Sequence, residues 1–442
     1  MQRQEQIGVI VSHVAAVILI TMGTFSCARE ESHLPTLNIE SVSASTAQSS
    51  SPSIDKVSNR STAVGWRTDG TGRYPTASPP TQWSETDNVL WAAELGNWSN
   101  ATPVVVGDRV FVCREPFDLV CVSTNDGSVL WQRSNSIQDA MPKVSERPDD
   151  PNTHGYNGYS TPTPVSNGKF VWTLHGNGVA ACYDMNGQRQ WIRFVQSPQA
   201  GWGQSSSPVL VDNTLIVEII DVFGLDASTG KNQWQHNLGE KHSFGSPVAM
   251  NIDGTDILIT PTGDFLRVAD GFVYARRKAH LEYNAPIVHD RTVYFITGDS
   301  QAFHLSLKTD GTLEVELKWR GKLSGDRYYS SPVYHEGLIY AITRGQQLSV
   351  IDADDGQRLY DRKLSLSDTG GNNAVYSSPT VAGNHVYLTG LDGTTVVLNP
   401  GRVYDETERN NLPETRANPV FIADRLYIRA AKKLFCVTQG TL

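Results

Sequence analysis

From about residue 64 onward the chain is built of short alternations of apolar and polar residues, closed by small polar turns. The stretch SSPVYHEGLIYAITRGQQLSVIDADDGQRLY (330–360) holds one full unit. Small residues and a proline come first, then two apolar alternations, an Asp-Gly turn and an aromatic. The proline returns at Pro103, Pro164, Pro208, Pro247, Pro286, Pro332, Pro379 and Pro419, about 45 residues apart. Strand alternation at that period predicts an all-β chain folded as an eight-bladed β-propeller of four-stranded antiparallel blades.

Within each unit the proline opens the innermost strand, where its missing N–H removes no ladder bond. The third strand ends in a tight turn such as Asn186-Gly187, Asp270-Gly271 or Asp355-Gly356, where Gly supplies positive φ. The fourth strand carries an aromatic: Trp131, Trp191, Trp234, Trp319 or Tyr360. The last unit stops after three strands, while NVLWAAELG, with Trp91, precedes the first proline. That N-terminal strand is expected to complete the last blade and so remove an open edge.

Many glycines and a high Trp and Tyr count suit short strands and tight turns. A formal net charge of −9 with no basic block argues against nucleic acid as a partner. Residues 1–27 read as an export signal, with the apolar run IGVIVSHVAAVILITMGTF after MQRQEQ. Three fates fit this segment: lipidation of Cys27, ordinary cleavage at the small residues Ser26-Cys27-Ala28, or a retained anchor. Residues 28–63, rich in Ser and Thr, are expected to be a disordered tether, reaching roughly 30 Å. Residues 64–442 are the propeller. Cys113 and Cys121 lie on successive predicted strands, either as a disulfide or as small buried apolar residues.

Gly224-Leu225-Asp226-Ala227-Ser228-Thr229-Gly230-Lys231-Asn232-Gln233-Trp234 resembles the tryptophan-docking motif A-x-D-x-x-T-G-K-x-x-W of pyrroloquinoline-quinone-like (PQQ-like) propellers, lacking only its first alanine. CVSTNDGSVLW, ACYDMNGQRQW and VIDADDGQRLY are looser copies. The resemblance covers about residues 64–442 and implies the propeller architecture, with the Trp wedging adjacent blades. It implies two functional branches. The quinone- and calcium-binding dehydrogenases often carry a Cys-Cys pair, which this chain lacks. The BamB-like envelope lipoproteins are non-catalytic and closer in kind. The preface GWRTDGTGRYPTASPPTQW resembles the W-x-x-FRG openings of related exported propellers, with RTDG in place of FRG.

Side chains just before each innermost strand are expected to converge on one mouth of the ring. They are Trp98, Asn157, Tyr159, Trp202, Gln204, His242, Tyr283, Arg327, Tyr329, Asn373, Tyr376 and Arg416. Aromatic and amide groups around a funnel suit a peptide, a glycan or a planar ligand, or else cap the inter-blade core. Glu218 and Asp221, in TLIVEIID, are expected at exposed or Arg-paired strand positions. Asp352-Ala353-Asp354-Asp355-Gly356 reads as a turn rather than a calcium loop. Neither G-x-S-x-G nor H-E-x-x-H occurs, and the histidines are scattered. The long insert QRSNSIQDAMPKVSERPDDPNTHGYNGY between the first two units is a flap over the mouth or a solvated loop. The resulting expectation is a monomeric, non-catalytic envelope scaffold without metal or cofactor, tethered to the membrane by an N-terminal lipid or anchor and binding a protein or polymer. A periplasmic PQQ-dependent dehydrogenase is the alternative.

Overall fold

A computed structural model describes residues 63–198, 201–239, 243–368 and 373–439. Eight sheets follow one another around a ring, each with four antiparallel strands, consecutive in the chain in every blade but the last. Their innermost strands define blades 1 to 8: Val104–Val106, Val165–Ser166, Val209–Val211, Val248–Ile252, Ile287–His289, Val333–His335, Thr380–Ala382 and Val420–Ile422. Blade 8 takes its fourth strand from Val89–Glu94, which pairs antiparallel with Lys433–Thr438. The N-terminal strand therefore closes the ring, so no blade edge is left open at the seam.

Five tryptophans lock five of the blade junctions in one way. Each indole N–H donates to a backbone carbonyl of the next blade: Trp91 to Thr124, Trp131 to Met185, Trp191 to Ala227, Trp234 to Val268 and Trp319 to Ala353, at 2.8–3.1 Å. Beneath each indole lies the turn glycine of that next blade, in the left-handed region: Gly127, Gly187, Gly230, Gly271 or Gly356. A Cβ on Gly230 would meet Trp191 at 2.7 Å, so glycine serves both the turn and the docking. Asp352-Ala353-Asp354-Asp355-Gly356 is such a turn. Tyr360 of blade 6 packs instead among the apolar side chains shared with blade 7.

The cysteines fall into the same scheme. Cys121, Cys182 and Cys436 each sit directly across the strand pair from a docking tryptophan, Trp131, Trp191 and Trp91 respectively. Gly224 and Ala302 hold the corresponding places opposite Trp234 and Trp319. The position demands a small residue because the indole folds back over it; a Cβ on Gly224 would lie 2.1 Å from Trp234. This is why the motif tolerates loss of its alanine. Cys113 pairs with Leu119 rather than Cys121, and all four cysteines of the described residues are free and buried.

Residues 64–88 do what no repeat does. Val64 bridges to Ser166 of blade 2, and the chain then crosses the base of the central channel. There Arg67, 1% exposed, donates to the carbonyls of Pro332 (blade 6) and Pro379 (blade 7), each at 2.9 Å. Arg73–Tyr74 adds a parallel fifth strand to blade 7. Trp83 then stacks on Tyr387, and its backbone N–H donates to the Asn410 carboxamide at 2.8 Å. This passage fills the junction between blades 7 and 8, where the repeat provides no docking tryptophan.

Candidate functional site

The segments entering each innermost strand are extended, so alternate side chains face the channel. Counting back from the eight prolines, the third position is Asn100, Thr161, Ser205, Phe244, Tyr283, Tyr329, Tyr376 and Arg416. Every one of them lines a cup of about 770 Å³ at one end of the channel. The residue immediately before the proline is Thr102, Thr163, Ser207, Ser246, Ala285, Ser331, Ser378 and Asn418. All but Ala285 line the same cup, one step closer to the strands. The intervening residue turns into the blade: Asn284 donates to the Ile296 carbonyl at 2.9 Å and Ser330 to that of Ile342 at 3.0 Å.

The inner tier is a hydrogen-bonded belt. The backbone N–H of Thr102 donates to the Thr163 hydroxyl, Thr163 to Ser207 and Ser207 to Ser246, at 2.9–3.0 Å. Ala285 then donates to Ser331, Ser331 to Ser378 and Ser378 to the Asn418 carbonyl oxygen. The Asn418 amide closes the circle on Thr102 at 3.0 Å. The chain of bonds breaks only at Ala285, which offers no acceptor. Each hydroxyl here accepts a bond, so its own proton stays available to whatever occupies the cup. Below the belt, Trp66 lines both the cup and a smaller cleft on the opposite face. Its neighbour Arg67 is tied to blades 6 and 7.

The outer tier is two-sided. Blades 1 to 3 contribute Asn100, Thr161 and Ser205, and blades 4 to 7 contribute rings. Phe244 stacks toward Tyr283, Tyr283 meets Tyr329 edge-on at 5.0 Å, and Tyr329 stacks on Tyr376 at 5.2 Å. Arg416 lies over both Tyr376 and Tyr156. Tyr156, His154 and Asn157 come from the insert between blades 1 and 2, whose one helical turn, Ile137–Ala140, is held by a Ser136–Asp139 capping box. His154 stacks on Trp202 at 4.2 Å, and Asn157 donates to the Trp202 carbonyl at 2.6 Å. The insert thus reaches across the rim from blade 8 to blade 3.

Two arginines at the rim have acidic partners: Arg344 with Asp326 at 2.9 Å and Arg416 with Glu414 at 3.1 Å. Arg327 differs. Its guanidinium lies over the Tyr283 ring at 5.4 Å and bonds the Tyr329 hydroxyl, which holds it above the usual arginine range. No carboxylate lies within ion-pair distance of it among the described residues.

Eight of the twelve expected mouth residues, Asn157, Trp202, Tyr283, Arg327, Tyr329, Asn373, Tyr376 and Arg416, line the cup. Three sit elsewhere. Tyr159 packs on Phe117 at 4.9 Å and its hydroxyl donates to the Pro151 carbonyl. Gln204 is buried and donates to the Glu218 carbonyl. The Trp98 carbonyl accepts from the Glu115 N–H, outside the cup. His242 and Cys27 lie outside the described residues. Sequence reasoning missed the hydroxyl belt and the fixed third position; the signal was the two-residue alternation back from each proline.

Glu218 and Asp221 correct an expectation, for both are buried and neither meets an arginine. Asp221 is satisfied by the amides of Gln196, Gln235 and Asn237 at 2.7–3.0 Å. Glu218 is not: both carboxyl oxygens lack a partner. Burial, reinforced by the charge of nearby Asp264, pushes it up to about 8, so it is protonated at neutral pH. Asp264 in turn accepts from His236 at 2.8 Å. Neither Glu218 nor Asp221 lines the cup.

A calcium-bound quinone, which the dehydrogenase branch implies, needs convergent oxygen donors for the metal. Glu282 is the one carboxylate lining the cup among the described residues. No group of three or more His, Cys, Asp or Glu that could hold a metal occurs among them. The residues present do not fit that pair.

A family model described as outer membrane protein assembly factor BamB matches residues 81–312 and 269–441. Tetrathionate hydrolase of Acidithiobacillus ferrooxidans is 22% identical, over 69% of this chain and 66% of that protein, so the match spans just under two thirds of the relative's length. Among solved structures, BamB from Moraxella catarrhalis superposes with a TM-score of 0.59 at 15% identity, covering 80% of this chain and 99% of that one. Quinohemoprotein alcohol dehydrogenase from Comamonas testosteroni gives a TM-score of 0.55 at 12% identity, covering 86% of this chain and 81% of that one. The structural likenesses show the propeller fold.

Proposed function

The chain belongs to the family described as outer membrane protein assembly factor BamB, and from that premise we propose a non-catalytic scaffold of the cell envelope that holds a protein partner at its cup. The protein is exported, anchored through lipidated Cys27, and works as a monomer. One observation carries the reading: a cup walled by rings on one side and by amides and hydroxyls on the other. Such a surface buries apolar side chains while satisfying backbone polar groups, as peptide recognition requires. It offers no nucleophile–base pair and no metal donor set among the described residues.

Photo-crosslinking in intact cells tests this. A photoreactive residue placed at Trp202 or Asn373, on the rim, is expected to trap a discrete envelope protein, whereas one at Leu317, on an outer strand, is not. Equal trapping at both places, or none at the rim, rejects the cup as the binding surface. Bound chromophore and dye reduction after adding quinone and calcium to the purified protein would replace the scaffold with the dehydrogenase.

A further inference from the structure

We propose that residues 54–62, IDKVSNRST, dock into the cleft on the face away from the cup, against the open strand edges of blades 3 and 4. The occupant is thus a segment of this same chain, lying just upstream of the described propeller. The inference is independent of what the cup binds.

The first observation is the wall of the cleft. It encloses about 260 Å³ between the passage that starts at Ala63 and the innermost strands Val209–Val211 and Val248–Ile252. Each of those strands ends its sheet and is paired on one side only. Val209, Val211 and Ala249 are half-buried there, so apolar surface as well as backbone awaits a cover. The same chain already covers two such inner edges. Val64 and Ser166 exchange backbone bonds at 2.8 Å on blade 2, and Arg73–Tyr74 runs parallel to Val381–Ala382 on blade 7. Strand addition is therefore how this N-terminal passage holds to the ring.

The second is charge. Asp69, Asp212 and Asp256 line the cleft, and among the described residues no lysine or arginine does. Asp69 accepts from Thr71, and Asp256 from Asn251. None of the three has a cation within ion-pair distance among the described residues, whereas neighbouring Asp253 is paired with Arg291. Within residues 30–62 the only lysine and the only arginine are Lys56 and Arg60. The glutamates of that stretch, Glu30, Glu31 and Glu40, all lie farther upstream. Both cations thus stand on the nine residues nearest a cleft that holds three uncompensated acids.

The third is reach. Ala63 itself lines the cleft and packs on the core shared by blades 2 and 3. Arg60 is three residues from it, ~10 Å of extended chain, and Lys56 seven, ~23 Å. A cleft of this size admits the side chains of a passing segment, not a folded partner. A segment joined to its wall also competes at an effective concentration on the order of millimolar. Docked so, the segment leaves the propeller at a fixed place instead of pivoting at Ala63.

Carbodiimide crosslinking of the full chain tests this, with isotope-labelled and unlabelled protein mixed in equal amounts and read by peptide mass spectrometry. The Lys56 amine is expected to join Asp69, Asp212 or Asp256 within one molecule. Trypsin should cut after Arg60 at least ~10-fold more slowly in the parent than in Asp212→Asn/Asp256→Asn. That variant should keep the parent's thermal unfolding midpoint, since Asp212 is exposed and Asp256 half-buried. Arg60→Lys keeps the charge and should keep the protection.

Crosslinks from Lys56 that join labelled to unlabelled chains put a second copy in the cleft and overturn the proposal. So do the absence of any crosslink from Lys56 to the three aspartates, and equal tryptic rates in parent and double variant. None of these outcomes touches the rim crosslinking that tests the cup, so the two readings stand or fall separately.

Discussion

At the scale of single residues, burial decides which groups can react. Cys113 and Cys121 are pushed up to about 12 and Cys436 to about 11, in each case chiefly by burial. A thiol so held stays protonated and is a poor nucleophile. The cysteines of the propeller should therefore resist a thiol reagent at pH 8 in the native state and react fully in denaturant; rapid labelling of Cys182 or Cys436 in the native protein would contradict their placement. Glu218 has the opposite consequence for stability. Its carboxyl titrates at an ordinary 4.5 when unfolded and at about 8 when folded. Between those values the folded state binds the extra proton, so stability falls as pH rises, by at most ~1.4 kcal/mol per unit. Glu218→Gln should match the parent near pH 4.5 and exceed it progressively up to pH 8, in urea unfolding followed across that range. A constant difference at all pH values would show that the carboxyl is not the titrating group.

At the scale of elements, the turn glycine and the docking tryptophan form one device, and its parts can be separated. Gly230 and Gly311 both have positive φ, but only Gly230 lies under an indole, whereas a Cβ at Gly311 would meet nothing. Alanine at either position strains the backbone by ~1 kcal/mol. At Gly230 it must also displace Trp191, so Gly230→Ala should lose ~2 kcal/mol more than Gly311→Ala in chemical denaturation. Equal losses would mean that the tryptophans contribute little to blade docking. This device was legible in the sequence, because the turn, the glycine and the aromatic recur at fixed spacing. Of the two readings of Cys113 and Cys121, small buried apolar residues holds and the disulfide does not; the place of Cys121, Cys182 and Cys436 opposite a tryptophan was written in the strand register but not read there. Mouth residues were legible where a large side chain fell on a channel-facing position, as at Tyr283, Tyr329 and Tyr376. Tyr159 and Gln204 show the limit: residue type alone does not say which way an extended segment points. Glu218 was misjudged because a carboxylate in an apolar strand was expected to find water or an arginine, and protonation is the third way out.

At the scale of the whole molecule, closure uses two different joints. One is the strand Val89–Glu94, which completes blade 8 and was foreseen from the unfinished last repeat. The other is the passage of residues 64–88 across the base, which the repeat could not reveal because it belongs to no blade. Its centre is Arg67, buried with its Nε unpartnered and its two terminal nitrogens on carbonyls of adjacent blades. Arg67→Ala removes two charge-assisted bonds and leaves both carbonyls unsatisfied, a loss of about 3 kcal/mol. Urea unfolding of Arg67→Ala beside the parent checks this, and an unchanged midpoint would show that the two bonds contribute little.

That passage also settles how load would travel through the protein. The described chain enters beside the small cleft lined by Ala63 and Asp212, on the face away from the cup. Among the described residues, a pull on the upstream segment, whatever fixes its far end, bears first on the Val64–Ser166 bridge and then on the two bonds of Arg67. Because those two bonds end on blades 6 and 7, force entering along the chain would be divided between two blades before it reached any ladder of strand hydrogen bonds.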